Sequence, residues 1–252
     1  MHNFGGLITN EWLKMSKKRS FFIGYAVMLV TVIGFAFLIK QLSSEELPSM
    51  LDFTASIMTT NGVGQIVTII AVIFTAGIVA KEHQLGTIKF LLIRAHGRSK
   101  ILASKYVAAI LFAVSLIIFT IAAALASSGA LFGFATASGD GTWLLVAKGI
   151  LFQTVYTLIY VSLTFMFGIL TRSTGATIGI GMTAVLLEGL IQMLLSRYEF
   201  SKYLLFMNMD LSLFAGENST INDLVFPSAI SAIYVCLFIA VSFVSFKKRD
   251  IA

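Results

Sequence analysis

Few residues in this sequence could do chemistry, and their spacing supports little of it. The three histidines, His2, His83 and His96, form no i,i+4 pair and no cluster with the single cysteine, Cys236, so no zinc site is expected. No Gly-x-x-x-x-Gly-Lys-[Ser/Thr] phosphate loop occurs, so the chain does not hold ATP by that route. No Gly-x-Ser-x-Gly elbow is present. The long apolar runs offer neither a serine with a histidine nor a pair of aspartates. A non-catalytic chain with no cofactor or metal of its own is expected. One acid stands apart: Glu188, alone in an apolar run. A charge at mid-bilayer costs roughly 2.5–3.5 kcal/mol on insertion scales for the costliest residues. Glu188 is therefore read either as a polar contact in a translocation path or as a residue that snorkels outward.

The elements that carry these residues follow from composition. Hydrophobic residues make up 58% and charged residues 12%, with a mean hydropathy of +0.92. A soluble domain is about a quarter charged, so this chain cannot cover a globule with polar surface. That excludes an ordinary soluble enzyme, a disordered tail and a disulfide scaffold. Cys236 alone forms no intramolecular disulfide and reads as a small core residue. A bilayer core of about 30 Å needs about 20 apolar residues in helix. Six such spans are expected, at 20–39, 61–80, 104–126, 145–171, 173–195 and 226–246. The runs are too long for barrel strands and lack period-2 alternation. The fold class is an all-α integral membrane bundle, one transmembrane domain over 1–252. The stretch 20–39 is read as a retained anchor rather than a cleaved leader.

With six spans, 14 of the 18 basic residues fall on the side of the two termini, and Lys40, Lys148, Arg197 and Lys202 on the other. The positive-inside rule places both termini in the cytoplasm. The net charge of +6 is then a topology signal, and nucleic acid is not an expected partner.

Three segments outside the spans carry pattern. In 3–19, Phe4, Ile8, Trp12 and Met15 form an apolar stripe at helical spacing, with Lys14, Lys17, Lys18 and Arg19 at its end. This reads as an interfacial helix on the inner leaflet, the plainer alternative being a basic anchor that only fixes orientation. In the loop after the second span, Thr87 can cap a short helix over 86–96 and Gly97 can end it. Ile88, Leu91, Leu92 and Ala95 share one face, and Ser99 can cap the third span, with Lys100 and Lys105 at its entrance. Such an apolar and basic knob needs a partner or the lipid surface to cover it. The distal stretch 196–225 is too apolar for a free loop and is expected to dip into the outer leaflet or cap the bundle. Pro227 suits the first turn of the sixth helix. Gly175, Ala176, Gly179, Gly181 and Ala184 permit close helix approach, either at a dimer seam or within the chain.

Glu82, then Gly86-Thr87-Ile88-Lys89, Leu91-Leu92, Arg98 and Lys105 resemble the loop between the second and third spans of type-2 ABC-transporter permeases. Asn10-Glu11-Trp12-Leu13-Lys14, followed by basic residues and a span, is also similar to that family, and most so to bacterial permeases of peptide and antibiotic export or immunity. Near the end of the short helix, Ala95-His96-Gly97 stands where the family often has a proline or another turn-former. The resemblance implies that this loop is a coupling helix docked in a cytoplasmic ATPase, with Glu82, Gly86, Thr87, Lys89, Leu91, Leu92 and Arg98 as coupling residues. It implies an elbow helix beside that loop, two copies of the chain, two copies of the ATPase holding ATP and Mg, and a peptide-like cargo leaving across a bacterial plasma membrane. A membrane scaffold or sensor subunit that moves nothing is the alternative. An ion-coupled secondary transporter would need more spans and more buried charges.

Overall fold

The computed structural model of the protein describes residues 4–43, 47–84, 97–133, 142–215 and 221–248, with side chains for all of these except 79–84, 98, 142 and 221. Nine α-helices follow one another among these residues: α1 Phe4–Ser16, α2 Arg19–Leu42, α3 Met50–Ile57, α4 Val63–Gln84, α5 Arg98–Phe132, α6 Thr142–Thr171, α7 Thr174–Leu195, α8 Leu205–Asn208 and α9 Ile221–Lys248. Two 3₁₀ turns, Glu199–Tyr203 and Leu211–Phe214, flank α8, and no strand occurs among the described residues.

Five helices are long and apolar enough to cross a membrane: α2, α5, α6, α7 and α9. Their outward faces are apolar, with Phe22, Val30, Ile118, Leu186 and Ile233 all more than half exposed, while Thr68, Gln153, Thr157 and Glu188 are buried. Apolar outside and polar inside is the arrangement a hydrocarbon solvent favours. The chain is a multi-pass membrane protein. The helix at the position of the expected second span is different. An apolar window over Phe53–Ala80 is divided in the structure: α3 ends at Ile57, Gly62 adopts φ +77°, and α4 starts at Val63. The apolar part of α4, Val63–Ile78, is shorter than the other five.

Local sequence explains the breaks. Ser49 caps α3, its hydroxyl accepting from the Asp52 amide at 3.2 Å and donating to the Asp52 carboxylate at 2.6 Å. Asn61-Gly62 supplies the turn before α4, since glycine takes positive φ without a Cβ clash. Ser173 caps α7 by accepting from Ala176 N, after a two-residue turn in which Arg172 holds φ +53°. Two expected caps differ. Gly97, not Ser99, takes the cap position of α5, without a side-chain bond. Pro227 lies inside α9 rather than in its first turn, because that helix already begins at Ile221.

The bundle has two cores. The first joins α1, α2, α3, α4, α5 and one face of α6. Phe21 is its hub, with Trp12 edge-on at 5.7 Å and Phe112 at 5.5 Å, while Phe74 stacks on Phe112 at 3.9 Å. The second joins α4, α6, α7, α8 and α9 around the buried Tyr160. Both share α4 and α6. α6 is the central helix, 67% buried over its apolar window against 17% for α7 and α9. One end of the bundle gathers α1, the start of α5, Arg172 and the end of α9, and is rich in lysine and arginine; the opposite end gathers α3 and residues 196–215.

Candidate functional site

Two polar constellations lie inside this apolar frame, one near each end. At the basic end, α1 packs across α5. Glu11 Oε2 accepts from Lys105 Nζ at 2.9 Å, with side chains 11% and 5% exposed. An ion pair taken out of water costs desolvation of both members, so it persists only with close geometry, and removing one partner is severe. The contact also revises the expected face of α1. Glu11 and Met15 are its buried residues and Phe4 is exposed, because the helix is seated on protein and its ion pair turns that side inward. Trp12 is half-buried against Phe21, and Lys14, Lys17 and Arg19 are exposed.

Of the residues the resemblance assigns to coupling, Gly86, Thr87, Lys89, Leu91 and Leu92 lie outside the described residues. Glu82 lies near the end of α4 and Arg98 opens α5, and their side chains are outside the description as well. The described structure therefore brings the two stalks of this segment, α4 and α5, into contact with each other and places the Glu11–Lys105 pair at the foot of one of them.

Towards the other end, Glu188 sits within the bundle and does not snorkel. It is 6% exposed. Its Oε2 accepts from Tyr156 Oη at 2.5 Å and Tyr160 Oη at 2.8 Å, and its Oε1 accepts from Gln192 Nε2 at 3.2 Å. Helical spacing explains the convergence: Thr177, Gly181, Val185 and Glu188 form the buried stripe of α7, and Tyr156 and Tyr160 stand one turn apart on the facing side of α6. One turn before Tyr156, the Gln153 amide donates to Gly64 O at 2.7 Å and approaches Thr68 and Thr157. Its Oε1 has no partner.

Residues 199–214 cap this end. Leu205 and Met209 enter the second core. The Thr60 hydroxyl donates to Asp210 Oδ2 at 2.5 Å, Gln192 Nε2 donates to Phe206 O at 2.7 Å, and Ser231 Oγ donates to Asn208 O at 2.7 Å. The cap is thus tied to the α3–α4 junction, to α7 and to α9. Tyr198, Phe200, Tyr203 and Leu213 remain exposed on it, a placement suited to a membrane interface.

The small residues of α7 divide by face. A Cβ on Gly181 would lie 2.5 Å from Val72 Cγ1 and 2.9 Å from Thr164 Oγ1, so this glycine serves packing within the chain. Gly175 and Gly179 have nothing within 4 Å; with Ala176, Thr183 and Leu187, Gly179 lines an open outward groove.

Sequence reasoning missed Tyr156, Tyr160 and Gln192 as partners of the buried acid. A signal existed in α6, where Gln153, Tyr156, Thr157 and Tyr160 place four polar-tipped residues on one face of an apolar helix. The chain matches the family model described as Protein of unknown function (DUF2705) over residues 13–252. It is 26% identical to the uncharacterized protein YhcI of Bacillus subtilis (strain 168), over 98% of this chain and 99% of that protein.

Proposed function

We propose that this chain, which belongs to the DUF2705 family, is the membrane-spanning subunit of an ATP-driven exporter. In this reading α4 is a sixth crossing, both termini are cytoplasmic, and the membrane is a bacterial plasma membrane. The chain binds no nucleotide itself. A separate cytoplasmic ATPase, in two copies, holds ATP and Mg beneath two copies of this chain, and the cargo is an amphipathic peptide or a similar hydrophobic compound.

Support comes from the resemblance of residues 80–105 to the coupling loop of type-2 ABC permeases. The single structural observation that carries it furthest is the buried Glu11–Lys105 pair. Both members belong to the stretches in which the resemblance was found, and the pair joins the elbow helix to the stalk of the coupling loop. A push on that loop then reaches α2, α4 and α5 together, because Phe21, Phe74 and Phe112 pack as one aromatic block, and α1 joins it through Trp12 against Phe21. Export requires that nucleotide and cargo each favour one of two bundle states by differential affinity.

The test is co-purification of the full chain with candidate ATPases from its own cell, followed by ATP hydrolysis with candidate peptides. Gly86→Pro and Lys89→Glu are expected to detach the ATPase or uncouple its turnover. Unchanged pull-down and unchanged turnover in both variants reject the docking role.

A further inference from the structure

The cap at the end opposite the lysines and arginines turns aromatic rings outward. Its backbone bonds run inside the segment: Ser201 N donates to Tyr198 O at 3.0 Å and Leu204 N to Ser201 O at 2.9 Å. This 3₁₀ path buries Ser201 and leaves Tyr198, Phe200 and Tyr203 each more than half exposed. Tyr198 and Phe200 pair on the outside with centroids 5.5 Å apart, and Tyr203 lies 6.1 Å from Phe226 at the start of α9. Rings of this size left in water would forfeit a large burial energy. Helix lengths indicate what covers them. The 22 residues of α7 rise about 33 Å, and residues 226–247 of α9 about 32 Å. Each is close to the hydrocarbon core of about 30 Å. Counted from Arg172 before α7 and Lys247 in α9, the ring-bearing segment therefore stands one core thickness away, at the opposite boundary. The apolar outer face is continuous up to it, with Leu190 and Leu194 of α7 and Val225 of α9 more than half exposed. Arg197 and Lys202, also exposed, flank the rings, with one exposed acid, Glu199, between them. Lys202 Nζ lies 5.2 Å from the centroid of the Tyr203 ring, the apolar-body and charged-tip layout that suits a membrane interface.

We propose that residues 197–203 are an interfacial anchor that binds phospholipids of the adjoining leaflet. The rings of Tyr198, Phe200 and Tyr203 seat at the glycerol level, and Arg197 and Lys202 take headgroup phosphates, whose oxygens accept charge-assisted bonds from both cations. Lipid, rather than phosphate in solution, is the source, because the rings that flank the cations need an apolar neighbour. The inference uses only the membrane-spanning fold and not the exporter reading. It seats the cap within the interface instead of projecting it into water.

The test uses the full chain in vesicles of phosphatidylcholine, without any ATPase. The two native tryptophans are removed by Trp12→Phe and Trp143→Phe, and Phe200→Trp supplies the reporter. Its fluorescence is measured with lipid brominated near the head of the acyl chain, with lipid brominated near the chain end, and with acrylamide in the water. Quenching is expected to be strongest with the shallow bromines and weak with acrylamide. Quenching by acrylamide as free as that of tryptophan in water overturns the proposal. So does quenching by none of the three, the result that a second protein surface over the cap would give. Tyr198→Trp in the same background repeats the measurement should Phe200→Trp fail to fold. Adding Arg197→Glu and Lys202→Glu is expected to remove most of the shallow-bromine quenching and to raise that by acrylamide. Unchanged quenching in that folded variant overturns the phosphate role of the two cations. A failed co-purification with an ATPase leaves this measurement standing, and a failed quenching assay leaves the exporter reading standing.

Discussion

Lys105 Nζ stands 2.9 Å from Glu11 Oε2, and the bond joins a helix that precedes every long span to the entrance of α5. Ninety-four residues separate the two in the chain. Neither side chain has appreciable access to water, so the pair fixes how α1 sits on the bundle.

Glu11→Gln removes the carboxylate that accepts from the buried Lys105 ammonium. The expected cost is about 3–5 kcal/mol of stability, the usual penalty for breaking a buried pair from one side. The exchanged pair, Glu11→Lys with Lys105→Glu, is expected to recover a large part of the loss. Thermal unfolding of the wild type, Glu11→Gln, Glu11→Lys, Lys105→Glu and the exchanged pair in one detergent measures both, and additive losses in the double variant would contradict a direct pairing.

Gly64→Ala is expected to lower folded yield severely. Its Cβ would fall 1.9 Å from Thr59 O and 2.7 Å from Gln153 Oε1, and the first of these is backbone held by the α3–α4 turn. Overpacking of this kind costs typically about 1–3 kcal/mol, occasionally more. Gly175→Ala is the control: nothing lies within 4 Å of its Cβ, and a change within about 0.5 kcal/mol is expected. Size-exclusion profiles and unfolding midpoints compare the two.

Asp210→Ala removes the acceptor of the Thr60 hydroxyl and of the Ser212 amide. Leaving a buried donor unsatisfied costs about 1–3 kcal/mol. The loosening is expected to be local to residues 199–214, where amide hydrogen exchange should accelerate while α6 stays protected. Uniform acceleration across the bundle would show that the cap is not a separate unit.

The topology is checked by labelling. In a Cys236→Ser background, a cysteine in place of Lys89 is expected to react only after the inner face is opened to a membrane-impermeant maleimide. A cysteine in place of Lys202 is expected to react in intact cells. The reverse pattern inverts the protein and removes the coupling role from residues 86–96.

The long helices were legible because long runs without charge have few other readings, and α2, α7 and α9 lie close to the stretches that hydropathy marks. The break just before the second span was not read from hydropathy, since an apolar window reaching back to Phe53 is blind to a turn inside it. The signals were local, Ser49-x-x-Asp52 and Asn61-Gly62, and they compete with an otherwise continuous apolar pattern. At the candidate site, Glu188 was conspicuous because an acid in an apolar run is costly wherever it points. Its partners were not, because tyrosine and glutamine in a span are ordinary until tertiary packing brings α6 against α7. Glu11 and Lys105 were both visible, each in its own motif, but nothing in a linear sequence joins positions so far apart.

Ala71 and Val72 are neighbours on α4, yet one belongs to the first core and the other to the second. A single helix therefore forms part of the wall of both compartments. A small roll of α4 about its long axis would carry side chains out of one packing set and into the other, so loosening on one flank is compensated by tightening on the opposite flank. The bundle is in that sense built around a spindle, and substitutions that change side-chain volume at these adjacent positions should bias which way it turns.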